Sequence, residues 1–114
     1  MSSKTVSESH GPNTRLAHAG NDPHSFHGFV NPPVVHASTV LFPNAAAMAS
    51  RNQKYTYGTH GTPTTDALAE AINELEGSAG TVAVPSGLAA VTLAFLSCLS
   101  AGDHALVVDS VYGP

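Results

Sequence analysis

Hydrophobic positions along the chain fall into two regimes that meet near residue 61. Before that point they come in short clusters, Pro32-Pro33-Val34-Val35 and Ser38-Thr39-Val40-Leu41-Phe42, with no sustained period. Five of the eight prolines and six of the seven histidines lie in this first stretch. Such a pattern reads as an extended arm with short turns, plus one helical turn over Ala45 to Ser50. Its first dozen residues are polar and read as a disordered terminus. An arm over residues 1–60 with no core of its own is expected to lie on another surface.

From residue 62 the pattern becomes regular. Leu68, Ala71, Ile72 and Leu75 recur at helical spacing, with Asp66, Glu70, Glu74 and Glu76 mostly opposite them as a solvated face. Thr62-Pro63-Thr64-Thr65 supplies hydroxyl caps and a first-turn proline, and Gly77 is placed to end the helix. Thr81-Val82-Ala83-Val84 reads as a short buried strand. Pro85-Ser86-Gly87 breaks it. The run from Leu88 to Leu99 is apolar on every face, as in a helix covered all round, and encloses Cys98 as a small core residue. After Gly102-Asp103, Ala105-Leu106-Val107-Val108 reads as a second buried strand. Strand, turn, helix and strand form one βαβ-like unit of an α/β fold with a mostly parallel sheet. Two strands cannot hold a parallel sheet alone, so residues 61–114 are expected to be the start of a larger, incomplete domain.

Composition narrows the possibilities. With 42% hydrophobic and 11% charged residues the chain is globular rather than disordered, yet carries too little charge to cover its surface. A formal charge of -4 with four basic residues argues against a nucleic-acid partner, which demands clustered Lys and Arg. No segment resembles a signal peptide or a membrane span, and a lone cysteine suits a reducing compartment; the expected home is the cytoplasm. His24 and His27 are three apart but lack acidic or cysteine partners at a zinc spacing, so no metal site is expected.

The turn between the first strand and the apolar helix is the candidate for chemistry. A helix N-terminus offers unpaired N–H groups and a partial positive charge, which together suit an anion. Gly87 leaves its backbone approachable and Ser86 adds a hydroxyl. From the residues alone a plain turn with a serine cap remains the simpler reading. Neither GxGxxG nor GxxxxGK[ST] occurs.

A set of ordered motifs then changes the balance. Thr14-Arg15-Leu16-Ala17-His18-Ala19-Gly20, Asn31-Pro32-Pro33-Val34, Tyr57-Gly58-Thr59-His60-Gly61-Thr62-Pro63-Thr64 and Glu74-Leu75-Glu76-Gly77 lead into Val84-Pro85-Ser86-Gly87-Leu88-Ala89-Ala90. Leu99-Ser100-Ala101-Gly102-Asp103-His104 and Tyr112-Gly113-Pro114 follow. In this order and spacing they resemble the pyridoxal-phosphate (PLP) enzymes of Cys/Met metabolism. The resemblance implies an N-terminal arm followed by the first part of the large PLP-binding domain of a fold-type I, aspartate-aminotransferase-like enzyme. Within the family, Gly58 and Gly61-Thr62 lean toward the cystathionine β-lyase branch; methionine γ-lyases and cystathionine γ-synthases usually show Tyr-Ser-Arg-x-x-Asn-Pro-Thr.

The roles that the resemblance implies are specific. Ser86, Gly87 and Leu88 would hold the cofactor phosphate, and Tyr112 would stack on the pyridine ring and take part in proton transfer. Tyr57 would reach the phosphate of a neighbouring subunit in a homotetramer whose active site lies at an interface. Thr59 stands where the family normally has arginine, so its contact would be one hydrogen bond without charge. The implied reaction is a carbon–sulfur lysis of a small sulfur amino acid, cystathionine giving homocysteine, pyruvate and ammonia. The family's cofactor-bearing lysine, and its residues for the pyridine nitrogen and the substrate carboxylate, would lie further along than Pro114, so residues 1–114 are expected to hold half a cofactor site and no lyase activity. A rival reading of another class is a non-enzymatic anion-binding module.

Overall fold

The computed structural model describes residues 10–113. The polar terminus expected over residues 1–12 lies mostly outside that range, and its last residue, Pro12, opens a helix. Four α-helices are described: α1 over Pro12–His18, α2 over Ala45–Ser50, α3 over Pro63–Glu76 and α4 over Gly87–Cys98. A single 3₁₀ turn, Gly58–His60, precedes α3. The chain divides into two compact units, one ending at Val82 and the other beginning at Ala83.

α3 forms where its apolar spacing predicts, and its ends explain why. Thr65 N–H donates to the Thr62 hydroxyl at 3.2 Å while Thr62 N–H donates to the Thr65 hydroxyl at 2.8 Å, a reciprocal cap. Pro63 occupies the first turn, and Gly77 closes the helix in the left-handed conformation at φ 63°. α2 likewise starts on a side-chain cap, Asn44 accepting from Ala47 N–H at 2.8 Å.

α1 has no counterpart in the periodicity. It is seven residues long and Gly11 gives it no side-chain cap, so it is too short to persist unaided. Tertiary contact holds it instead. Arg15 pairs with Glu74 of α3, and Gly20 is buried against Ala67. Farther on, Val35 N–H donates to the Thr64 hydroxyl at 2.8 Å, and that hydroxyl donates to Pro33 O at 2.6 Å. The arm therefore lies across α3 within its own unit.

That placement corrects one expectation. Glu74 and Asp66 belong to the face clasped by the arm rather than to a solvated one. The apolar stripe is the open side, with Leu68 and Leu75 each 56% exposed. Gly20, Thr62 and Ala67 are the buried residues among those described, so neither unit encloses a substantial core. Cys98 is exposed, not a core residue.

The expected parallel sheet is not formed among the described residues. Residues 81–84 and 105–108 have no regular secondary structure and carry no ladder, and the pairing present is one isolated antiparallel bridge, Thr39 to Tyr57. The physical reason is the one that limits any βαβ unit: a strand with no neighbours on its edges has nothing to bond. Leu106 is fully exposed and Val108 largely so. No helix among the described residues is long and apolar enough to cross a membrane.

Candidate functional site

The N-terminus of α4 is built by Ser86 in an extended conformation, φ -157° and ψ 159°, followed directly by helix. The Ser86 hydroxyl accepts from Ala89 N–H at 3.1 Å, and Ser86 O accepts from Ala90 N–H at 3.1 Å. Those two bonds satisfy the N–H groups of Ala89 and Ala90 only. Gly87 and Leu88 N–H have no acceptor among the described residues, and both residues are exposed. The Ser86 hydroxyl hydrogen also remains available, because its oxygen is the acceptor in the cap. Three donors thus lie at the positive end of a twelve-residue helix.

Gly87 leaves this end open. A Cβ there would meet nothing within 4 Å, so the glycine answers no packing demand inside the chain. An anion can approach the backbone where a side chain would otherwise stand. Alongside, an open groove of about 480 Å³ runs down α4 past Leu88, Leu93 and Leu96. Apart from Ser86 and Thr92 its wall is hydrocarbon, which suits apolar cover rather than a phosphate.

Tyr112 lies in the same unit, just after a turn in which Val111 N–H donates to Val108 O at 3.2 Å. Tyr112 is 84% exposed. A free face suits stacking, and no hydrogen bond joins Tyr112 to Ser86, Gly87 or Leu88 among the described residues.

Tyr57 and Thr59 belong to the other unit. Tyr57 caps the 3₁₀ turn, and its ring meets His60 edge-on with centroids 5.9 Å apart. Thr59, in the middle of that turn, is exposed. The six residues singled out from the sequence therefore fall three and one in the second unit and two in the first, and each group is defined within its own unit. No cluster of His, Cys, Asp or Glu able to hold a metal ion occurs among the described residues.

Sequence reasoning missed the polar cluster behind Tyr57. Asp66 Oδ2 accepts from the Tyr55 hydroxyl at 2.8 Å and pairs with Lys54 Nζ at 2.7 Å. Burial works against the Asp66 charge, but the hydrogen bonds from Lys54 and Tyr55 outweigh it and hold the carboxyl below its ordinary 3.8. Lys54 is raised, chiefly by its bond to Asp66, and burial raises the Tyr55 phenol. At neutral pH the cluster is a carboxylate, an ammonium and a neutral phenol. A carboxylate four residues after a helix cap was the available signal, but its partners precede it by eleven and twelve residues and have no periodic relation to it.

A helix N-terminus with two acceptor-free N–H groups, a serine hydroxyl and a glycine at the point of approach is suited to an anion such as a phosphate. Residues 13–114 match the pattern of the Cys/Met metabolism PLP-dependent enzymes, and the chain belongs to that family. A protein of Rhizobium johnstonii provisionally named cystathionine β-lyase is 78% identical over 104 residues, covering 91% of this chain and 26% of that protein. The L-alanine/L-glutamate racemase of Wolbachia pipientis is 40% identical over 111 residues, covering 85% of this chain and 28% of its own length. Among solved structures, metB from Corynebacterium glutamicum superposes with a TM-score of 0.72 at 31% identity, over 84% of this chain and 24% of that one. The chain thus spans about a quarter of the length of the relatives it matches, and it shares the fold of the corresponding part of the metB structure.

PLP is the cofactor that this family requires. The donor set at α4 fits its phosphate: two backbone N–H groups without acceptors, a serine hydroxyl and no Cβ in the way. This fit makes a prediction. Gly87→Ala is expected to leave folding unchanged or slightly improved, since the methyl meets no atom and alanine favours a helix by roughly 0.5–1 kcal/mol. Cofactor affinity of the full gene product is expected to fall about tenfold, the loss of roughly one charge-assisted hydrogen bond. Denaturation midpoints and equilibrium binding of PLP to the apo-protein measure the two effects separately. A plain serine-capped turn predicts no change in binding.

Proposed function

We propose that this chain forms the N-terminal part of a PLP-dependent carbon–sulfur lyase that cleaves cystathionine to homocysteine, pyruvate and ammonia. The observation that carries the reading is the pair of acceptor-free N–H groups at Gly87 and Leu88 in a chain of this family. Support for the β-lyase branch comes from the Gly58 and Gly61-Thr62 motif and from the name of the Rhizobium relative.

In this reading residues 61–114 open an aspartate-aminotransferase-like large domain, where segments 81–84 and 105–108 join a mostly parallel sheet. Residues 1–60 are the interface arm of a homotetramer, in the cytoplasm. Gly87 and Leu88 N–H and the Ser86 hydroxyl bind the cofactor phosphate. Tyr112 stacks on the cofactor ring and can move a proton at its phenol oxygen. Tyr57 and Thr59 add neutral hydroxyl donors to the phosphate of a neighbouring subunit. When bound, PLP supplies an electron sink that makes the α-proton of an amino-acid substrate acidic.

Product analysis of the full gene product tests the reading. Cystathionine is expected to yield homocysteine and pyruvate. Release of 2-oxobutyrate instead would move it to the γ-cleaving or γ-synthase branch. The Wolbachia relative supports a second reading, and formation of D-alanine from L-alanine without pyruvate would establish it. Absence of any PLP binding would favour a non-enzymatic anion-binding module.

A further inference from the structure

The loop between α2 and α3 carries Tyr57 and Thr59, and it is tied down on two sides. On one side Gly58 N–H donates to Ser38 O at 2.7 Å, and Tyr57 bridges antiparallel to Thr39. On the other side a single carboxylate gathers the loop. Asp66 Oδ2 accepts from the Tyr55 hydroxyl at 2.8 Å and pairs with Lys54 Nζ at 2.7 Å. The Lys54 ammonium also lies 5.0 Å from the centroid of the Tyr55 ring, and Gln53 Nε2 donates to Tyr55 O at 2.8 Å. Asp66 itself stands in the first turn of α3, where the Thr62–Thr65 cap fixes the backbone.

We infer that Asp66 is a positioning residue: through Tyr55 it sets the course of the loop that presents Tyr57 and Thr59 to a ligand phosphate. The inference rests on the proposed contact of those two residues with the cofactor phosphate. The two partners of Asp66 do not contribute equally. Lys54 is 71% exposed, so water and salt screen its pairing. The Tyr55 hydroxyl is part-buried and bonds a charged acceptor, which is the stronger kind of hydrogen bond. It also lies two residues from Tyr57 in a segment pinned at Gly58, so little slack separates the clamp from the phenol it orients. Losing the clamp frees one end of the loop and leaves the other attached.

The test uses the full gene product and two ligands, PLP and phosphate-free pyridoxal, bound to the apo-protein. Tyr55→Phe and Asp66→Ala are each expected to raise the Kd for PLP about three- to tenfold, the loss of one hydrogen bond to a charge, and to leave that for pyridoxal within twofold. The double variant is expected to bind no more weakly than Asp66→Ala, because both changes break the same bond. Lys54→Met is expected to change either Kd less than twofold. Should Asp66→Ala fail to fold, Tyr55→Phe decides, since it removes only the hydroxyl. An unchanged Kd for PLP in Tyr55→Phe and Asp66→Ala, with Tyr57→Phe weakening it, overturns the role of Asp66 and keeps that of Tyr57. If Tyr57→Phe also changes nothing, both readings fall together. Equal weakening of PLP and pyridoxal with a lowered melting temperature makes Asp66 merely structural and overturns the inference.

Discussion

Gly20→Ala is expected to destabilise the first unit by roughly 2–5 kcal/mol, toward the upper end for a single substitution. Two costs combine at this position. Gly20 has φ 72°, a left-handed conformation that costs an L-residue with a Cβ about 1–2 kcal/mol. A Cβ there would also fall inside the contact radius of the Ala67 carbonyl oxygen and reach 2.9 Å from its carbon. Those atoms are helix backbone in the middle of α3, so they cannot swing aside as a side chain would, and overpacking adds about 1–3 kcal/mol. Gly28 separates the two costs. It has φ 91° but nothing within 4 Å of an added Cβ, so Gly28→Ala should show the conformational cost alone. Urea midpoints of the two variants in the full gene product give the comparison. Equal losses would remove the close approach of α1's trailing turn to α3 from the account of this unit.

The contrast between Gly20 and Gly87 shows how far the sequence could be read. Both sit in motifs that pointed to the family, but one glycine lets two segments of backbone meet and the other leaves open space at a helix end. Motif order identified the family and α4's N-terminus without geometry, because helix caps and apolar spacing are local signals. α3 was legible from Thr62 to Gly77 for the same reason. What was not legible depended on segments far apart in the chain. α1 is held by Arg15 and Gly20 against residues about fifty positions later, and seven residues of modest propensity announce nothing by themselves. The acidic face of α3 was read as solvated because periodicity says which residues share a face, not what covers it. Asp66 therefore passed as surface charge until Lys54 and Tyr55 were found on it. The strands were a different failure. Thr81–Val84 and Ala105–Val108 have the residues of a buried strand but form no ladder among the described residues, because ladder partners are a property of neighbours rather than of the segment.

Gly58→Ser is the second substitution with a large expected effect, and it bears on how the branch motif should be understood. A Cβ at Gly58 would overlap the Ala37 carbonyl oxygen and stand 2.9 Å from Ser38 Cα and 3.0 Å from Ala37 C. All three atoms are backbone, so trimming the Ala37 side chain gives no relief, and segment 37–39 must move as a whole. That movement breaks the Gly58 N–H bond to Ser38 O and the bridge between Thr39 and Tyr57. A loss of roughly 2–4 kcal/mol is expected, from overpacking and one hydrogen bond. Because Tyr57 is displaced with the bridge, affinity for PLP should fall as well, by about tenfold or more if its hydroxyl contacts the phosphate. The ratio of pyruvate to 2-oxobutyrate formed by the residual activity should not change. The physical cause of glycine at position 58 is the approach of the arm, so serine there alters packing and not the choice of bond cleaved. A product ratio shifted toward 2-oxobutyrate in Gly58→Ser would instead make this residue a determinant of reaction outcome.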